Sequence, residues 1–168
     1  MMLQYLWKTF RIVLCAVVTI LFFRTFILES GRVNGISMVP TFHDNEPFLV
    51  NKYTLLFSAP MRQHIVQFKN PLNEKLLIKR IIGIPGDTVH IHNNTVSITT
   101  HEGIEIMIYE PYLAEGAITQ MWNNEPGDIL LGRDEYYVLG DNRRESGDSR
   151  HFGPILRKDI LGAIIKLP

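Results

Sequence analysis

The chain has one cysteine, Cys15, in 168 residues, so no intrachain disulfide can form and the fold must hold through its own core. It has no basic surplus: 17 Lys and Arg balance 17 Asp and Glu. That balance argues against nucleic acid as a partner, because phosphate binding normally leaves an excess of positive charge. No Cys/His cluster has zinc-like spacing; the six histidines are scattered, and the pair His90 and His92 sits on what reads as a hairpin strand. Beyond the N-terminus no long stretch shows 3.6-residue periodicity, and there is no internal repeat or low-complexity tract.

What is present begins with an apolar run. Residues 12–23 carry no charge, and after Arg24 the run resumes through Leu28. Residues 12–28 are at the short end of what crosses a bilayer as a helix, with Arg24 near enough to one end to snorkel to the interface. A cleaved secretory signal competes with this reading, since Lys8 and Arg11 precede the run. The following Glu29-Ser30-Gly31-Arg32 offers no small-x-small cleavage site, so an uncleaved signal anchor is the expectation. Basic residues flank both ends almost equally, and charge alone does not orient the segment.

From residue 29 the chain reads as short β-rich runs bounded by Gly, Pro, Asn and Asp. The expected strands are residues 48–50, 65–68, 76–84, 88–92, 95–99, 136–139 and 160–166. Asn93-Asn94 suits a two-residue hairpin turn, because Asn tolerates positive φ, and Pro85-Gly86-Asp87 is a stronger turn. The expected architecture is a mainly antiparallel β domain over residues 29–168, behind an N-terminal tip and anchor at 1–28, with residues 88–139 as a variable insertion. Residues 101–130 are the least patterned and read as an insertion or an extended β excursion. The run Tyr53-Thr54-Leu55-Leu56-Phe57 reads equally as an apolar loop at a membrane interface or a buried strand.

Three segments carry chemistry: residues 35–41 around Ser37, residues 79–87 starting at Lys79, and residues 140–153 starting at Gly140-Asp141-Asn142. Singly, each has an ordinary reading as a turn hydroxyl, a solvated lysine and a surface turn. Together they supply what nucleophilic catalysis needs: a serine, a base and a group to orient it. Lysine can be that base where apolar neighbours disfavour its charged form, and Leu76, Leu77, Ile78, Ile81 and Ile82 surround Lys79 in sequence.

In this order, behind one N-terminal anchor, the segments resemble the bacterial type I signal peptidases (leader peptidases), a Ser/Lys-dyad serine peptidase family. The matching boxes are Ser37-Met38-Val39-Pro40-Thr41, Lys79-Arg80-Ile81-Ile82-Gly83-Ile84-Pro85-Gly86-Asp87, and Gly140-Asp141-Asn142 continuing through Ser146, Asp148, Ser149 and Arg150 to Phe152-Gly153. The resemblance implies an all-β, two-sheet peptidase domain. It implies Ser37 as nucleophile, Lys79 as general base and Ser146 as the residue that orients the lysine amine. Asp141, Asp148, Arg80 and Arg150 would brace the site, and Met38 and Pro40 would shape it. Three positions depart from the family pattern. Gly35 leaves no second side-chain oxyanion donor. Gln63-His64 stands where Gly-Asp is usual. The insertion at 88–139 is short.

The implied reaction is hydrolysis of exported preproteins after small residues, through an acyl-enzyme and without metal or organic cofactor. The partners would be signal-peptide-bearing preproteins and the lipid bilayer, with the N-terminus cytoplasmic and the catalytic domain on the extracytoplasmic face of the cell membrane. His151 invites a Ser/His/Asp reading, but Lys79 fills the base position and His151 is expected to be structural. The rival readings are a single-substrate maturation peptidase or self-cleaving repressor of the same class, an organellar inner-membrane peptidase, and an inactive membrane-anchored β protein.

Overall fold

A computed structural model describes residues 2–26, 28–121 and 127–167. The chain opens with helix α1 (Met2–Phe26), whose 25 residues extend about 38 Å at 1.5 Å each. Its segment Gln4–Leu21 is long and apolar enough to cross a membrane and is wholly exposed. The helix begins ten residues before the expected apolar run and contains its residues 12–26. Phe26 ends it, and Leu28 already pairs with Asn51 in the first strand. The side chain of Arg24, expected to snorkel, lies outside the described residues.

Eleven strands follow among the described residues: β1 (Leu28–Arg32), β2 (Pro47–Asn51), β3 (Ile65–Lys69), β4 (Leu76–Gly83), β5 (Thr88–His92), β6 (Thr95–Thr99), β7 (Glu105–Met107), β8 (Gly127–Leu130), β9 (Glu135–Leu139), β10 (Ile155–Leu156) and β11 (Ile160–Lys166). They form a seven-stranded sheet in the order β1-β2-β11-β3-β4-β9-β10 and a four-stranded sheet in the order β7-β6-β5-β8. Every recorded pairing is antiparallel. The mainly β, two-sheet expectation holds.

Period-two alternation sorts side chains between the two faces of a strand. In β9, Tyr136 and Val138 enter a cluster with Val66, Phe68, Ile81, Ile155 and Ile160. Tyr137 and Leu139 enter a second cluster with Ile82, Leu131 and the apolar residues of β5 and β6. A third cluster gathers Val33, Met38, Phe42, Phe48 and Val50 beneath the segment that carries Ser37. Each fully buried Phe, Ile or Val contributes about 1.5–3 kcal/mol from its apolar surface, so the core that disulfides cannot supply is built from these three clusters.

Asn93 and Asn94 take φ of 50° and 67° between β5 and β6, a turn with both central residues left-handed. Gly86 has φ of 85° in the turn joining β4 to β5, and it needs no Cβ there. The 88–139 boundary does not mark a structural unit. Residues 88–130 hold the whole four-stranded sheet, whereas β9 is an inner strand of the large sheet, paired to β4 with Arg80 opposite Leu139. The poorly patterned stretch is a β excursion through β7 and β8. Tyr53 to Phe57 is not a strand. Residues 54–57 form a one-turn helix α2, with Leu55 packed on the core and Phe57 73% exposed, its ring centroid 4.7 Å from that of Tyr53.

Candidate active site

Ser37 begins the tight turn that precedes Pro40. Its neighbour Met38 is buried in the third cluster, which pins the turn from below. The Val39–Pro40 peptide bond is cis, and Pro40 itself is exposed. From the other side the third box holds this turn through its backbone: Asn142 N–H donates to the Ser37 carbonyl at 3.0 Å, and Asn142 Nδ2 donates to the Ile36 carbonyl at 3.2 Å. The main chain at Ser37 is thus fixed by groups about 100 residues away.

Lys79 lies on β4 opposite Val66 of β3 and is 2% exposed. Its Nζ stands 2.7 Å from Ser37 Oγ and donates to the carbonyl of Ile78 at 2.9 Å. Burial pushes its pKa down to about 8, against a weaker opposing pull from the carboxylates of Asp148 and Asp141. The amine is therefore partly neutral near physiological pH and within hydrogen-bonding reach of a serine hydroxyl. Leu76, at the solvent end of β4, is more than half exposed and takes no part in this desolvation.

Ser146 is buried, and its Oγ has no hydrogen-bond partner among the described residues. The bond expected from Ser146 to the lysine amine is not formed, and Ile78 supplies that contact instead. The hydroxyl packs directly on Gly140: a Cβ there would meet Ser146 Oγ at 2.1 Å and the Ser37 carbonyl oxygen at 2.5 Å. Gly140 directly follows β9, whose last residue Leu139 pairs with Arg80, next to Lys79. Glycine is thus required for the first and third boxes to close around the lysine. A buried hydroxyl without a partner costs free energy, and this one sits in the wall of the candidate site.

The four charged residues Arg80, Asp141, Asp148 and Arg150 form two ion pairs. Arg80 donates to Asp141 in a bidentate fork, Nε to Oδ1 at 2.9 Å and Nη2 to Oδ2 at 2.6 Å. Thr41 Oγ1 also donates to Asp141. This fork ties the strand of Lys79, the third box and the turn after Ser37 to one carboxylate. Arg150 likewise forks onto Asp148, Nε to Oδ1 and Nη2 to Oδ2, both at 2.8 Å. Asp148 also caps the short helix α3 (Ser149–Phe152) and accepts from Gly140 N–H at 3.0 Å. His151 is exposed on α3.

The turn at Gln63-His64, where this chain departs from Gly-Asp, holds a left-handed backbone. Gln63 adopts φ of 72°, the left-handed region that glycine occupies without cost. Its N–H donates to the Ile81 carbonyl at 2.8 Å, and the His64 carbonyl accepts from Ile81 N–H at 2.9 Å. Gln63's own carbonyl accepts from Arg80 Nη1 at 2.9 Å. Gly35 has φ of 94° and open space where a Cβ would stand; it contributes no hydroxyl, and its N–H is taken by Asp44 at 2.7 Å.

Three supports escaped the sequence reading. Arg62 forks onto the fully buried Asp87 at 2.8 and 2.6 Å. Arg143 binds Glu110 and Thr119 and donates to the Gly140 carbonyl at 3.1 Å, fastening the β excursion to the third box. Tyr112 lies under the Arg80 guanidinium, 3.8 Å from ring centroid to Cζ, while burial and the Glu110 carboxylate raise its phenol pKa and keep it protonated. None has a local sequence signal, since the side-chain partners lie 24 to 33 residues apart. A cleft lined by Val39 and by residues 114–117 and 141–144 opens beside the nucleophile turn; Ala114, Gly116 and Ala117 make that wall small-sided.

The family model described as signal peptidase, peptidase S26, matches residues 6–166. The chain is 37% identical over 142 residues to signal peptidase I V of Bacillus subtilis (strain 168), covering 79% of this chain and 81% of that protein. It is 35% identical over 162 residues to a signal peptidase I of Bacillus amyloliquefaciens, covering 93% and 81% respectively. A crystal structure of a signal peptidase I from Enterococcus faecalis V583 superposes with a TM-score of 0.49 at 26% identity, over 63% of this chain and 97% of that one. The chain belongs to the signal peptidase family, peptidase S26, and is a serine peptidase of the signal peptidase I type.

Proposed function

We propose that this protein removes N-terminal signal peptides from exported preproteins, with Ser37 as nucleophile and Lys79 as general base. The observation that carries the reading is the 2.7 Å contact between Ser37 Oγ and a buried lysine amine whose pKa is lowered to about 8. Neutral Lys79 takes the proton of Ser37 Oγ as that oxygen bonds to the scissile carbonyl carbon. The resulting oxyanion rests on backbone N–H groups, among them that of Ser37. On collapse the C–N bond breaks, and the leaving amine takes the proton from Nζ. Lys79 then accepts a proton from water as the water attacks the ester, and Ser37 recovers its proton when the acid is released. No metal or organic cofactor enters these steps.

Ser146 acts on the base in this reading. Its buried hydroxyl is available to the lysine amine when substrate enters and the Nζ proton count changes. Arg80, Asp141, Asp148 and Arg150 hold the three boxes in register, and Met38 and Pro40 shape the turn of the nucleophile. Substrate docks as an added β-strand whose small alternate side chains enter shallow apolar pockets.

Helix α1 (Met2–Phe26) anchors the chain, and the peptidase domain that begins with β1 is confined to the layer in which membrane-inserted substrates present their cleavage sites. The exposed Phe57 and Met61 meet the interface of the same bilayer. The N-terminus is cytoplasmic, and the catalytic domain faces the opposite side of the cell membrane. The test incubates the full-length chain in detergent with a preprotein, beside Ser37→Ala. Signal-peptide removal by the unaltered chain and none by the variant is the expected result; equal processing by both overturns the assignment.

A further inference from the structure

We propose that His90, His92 and Asp128 form a binding site for a divalent transition-metal ion of the zinc class, on the four-stranded sheet and apart from the catalytic centre. Alternation along β5 sends Val89 and Ile91 into the core and leaves His90 and His92 side by side on the outer face. The β5–β8 register sets Asp128 directly opposite His90. All three side chains converge. His90 Nδ1 and His92 Nε2 each lie 2.7 Å from the same oxygen, Oδ1 of Asp128, and the three donor atoms lie within 4.8 Å of one another.

Tetrahedral zinc with bonds of about 2.0–2.2 Å spaces its ligands about 3.3 Å apart. An ion near the point where the two rings now share Oδ1 needs that oxygen to withdraw by about 2 Å, a rotation of the exposed Asp128 side chain, while the ring nitrogens move less. Two imidazoles and one carboxylate select a borderline transition ion over Mg²⁺ or Ca²⁺, which prefer all-oxygen sets. Three protein ligands leave the fourth position to water. The far nitrogen of His90 is already oriented, with Nε2 2.8 Å from Thr99 Oγ1 on β6; an N–H there donates to the hydroxyl and frees Nδ1 for the metal, the outer contact that ligating histidines usually have.

The site has a mechanical consequence. β8 is a four-residue edge strand, and an ion bound to Asp128 and both histidines ties it side chain to side chain onto β5. Binding to the folded form alone raises its stability by linkage.

The test uses the full-length chain in detergent micelles, stripped with chelator and titrated with zinc chloride by calorimetry. Zinc is expected to bind one to one at micromolar concentration and to raise the melting temperature, while millimolar magnesium chloride does neither. Asp128→Asn should weaken zinc binding tenfold or more, and the double change His90→Gln, His92→Gln should abolish it; both variants should retain peptidase turnover, which reports that they fold. Zinc K-edge absorption on the unaltered chain should show two imidazole ligands. Absence of saturable binding, unchanged affinity in the variants, or a spectrum without imidazole overturns the proposal.

Discussion

Ser37 Oγ and Lys79 Nζ stand 2.7 Å apart across 42 residues of sequence, joined by a turn that the third box grips by its backbone and a strand buried in the middle of the large sheet. If the two act as one unit, their losses do not add. Ser37→Ala and Lys79→Ala are each expected to abolish preprotein cleavage in a folded protein, and the double variant to be no worse than either. Single-turnover cleavage measures this. Substantial turnover by Lys79→Ala would sink the pair.

The lowered pKa of Lys79 sets a pH dependence. Burial drops it from 10.5 to about 8, so the unfolded chain binds more protons between those values. The penalty of about 3 kcal/mol is fully present below pH 8 and fades as pH rises toward 10.5. Cleavage by the full-length chain should climb with pH along one ionisation near 8. Lys79→Met keeps length and removes the buried amine. It should be inactive, and at pH 7 between unchanged and about 2 kcal/mol more stable, after the lost hydrogen bonds offset part of the gain. Strong destabilisation, or full activity of the unaltered chain at pH 5, contradicts a desolvated base.

The Ser146 hydroxyl gives a second separation of rate from stability. Because it has no partner among the described residues, Ser146→Ala should leave thermal stability unchanged or raise it by up to about 1 kcal/mol. The rate should fall by about one to three powers of ten, since the hydroxyl orients the base without doing covalent chemistry. An unchanged rate would make Ser146 a turn residue only.

Gln63 predicts a gain. Holding a non-glycine residue at φ of 72° costs about 1–2 kcal/mol, partly offset in glycine by greater freedom in the unfolded chain. Gln63→Gly should therefore stabilise the protein by about 0.5–1 kcal/mol in thermal or denaturant unfolding, with activity retained. A loss of stability would show that the Gln side chain contributes packing that outweighs the strain.

The large-sheet strands β2, β3, β4, β9 and β11 were legible as short β-rich runs bounded by turn residues, as was the hairpin at Asn93-Asn94. Strands β2, β5 and β6 alternate in burial, whereas β3, β4 and β9 are buried along consecutive residues. Local dihedral preference and period-two burial act over a few residues, and these are what a sequence displays. The three boxes were legible through their resemblance to the type I signal peptidases, because each is a contiguous run that a sequence displays; singly, each has an ordinary reading.

Strands β1, β7, β8 and β10 were not legible. β7 is exposed along its whole length and β1 nearly so; each is a strand because a neighbour offers its backbone groups, and no alternation records that. The left-handed backbone at Gln63, where residue type argues against it, is imposed by paired hydrogen bonds to Ile81. The forks of Arg62 on Asp87 and Arg143 on Glu110, and the meeting of His90 and His92 with Asp128, were likewise decided by the tertiary structure. The sequence by itself determined which residues could react and which runs could be strands. Tertiary structure decided which charges found partners, which hydroxyl was left without one, and how far the Lys79 amine lost its water, because pairing and desolvation depend on distance in space and not on distance along the chain.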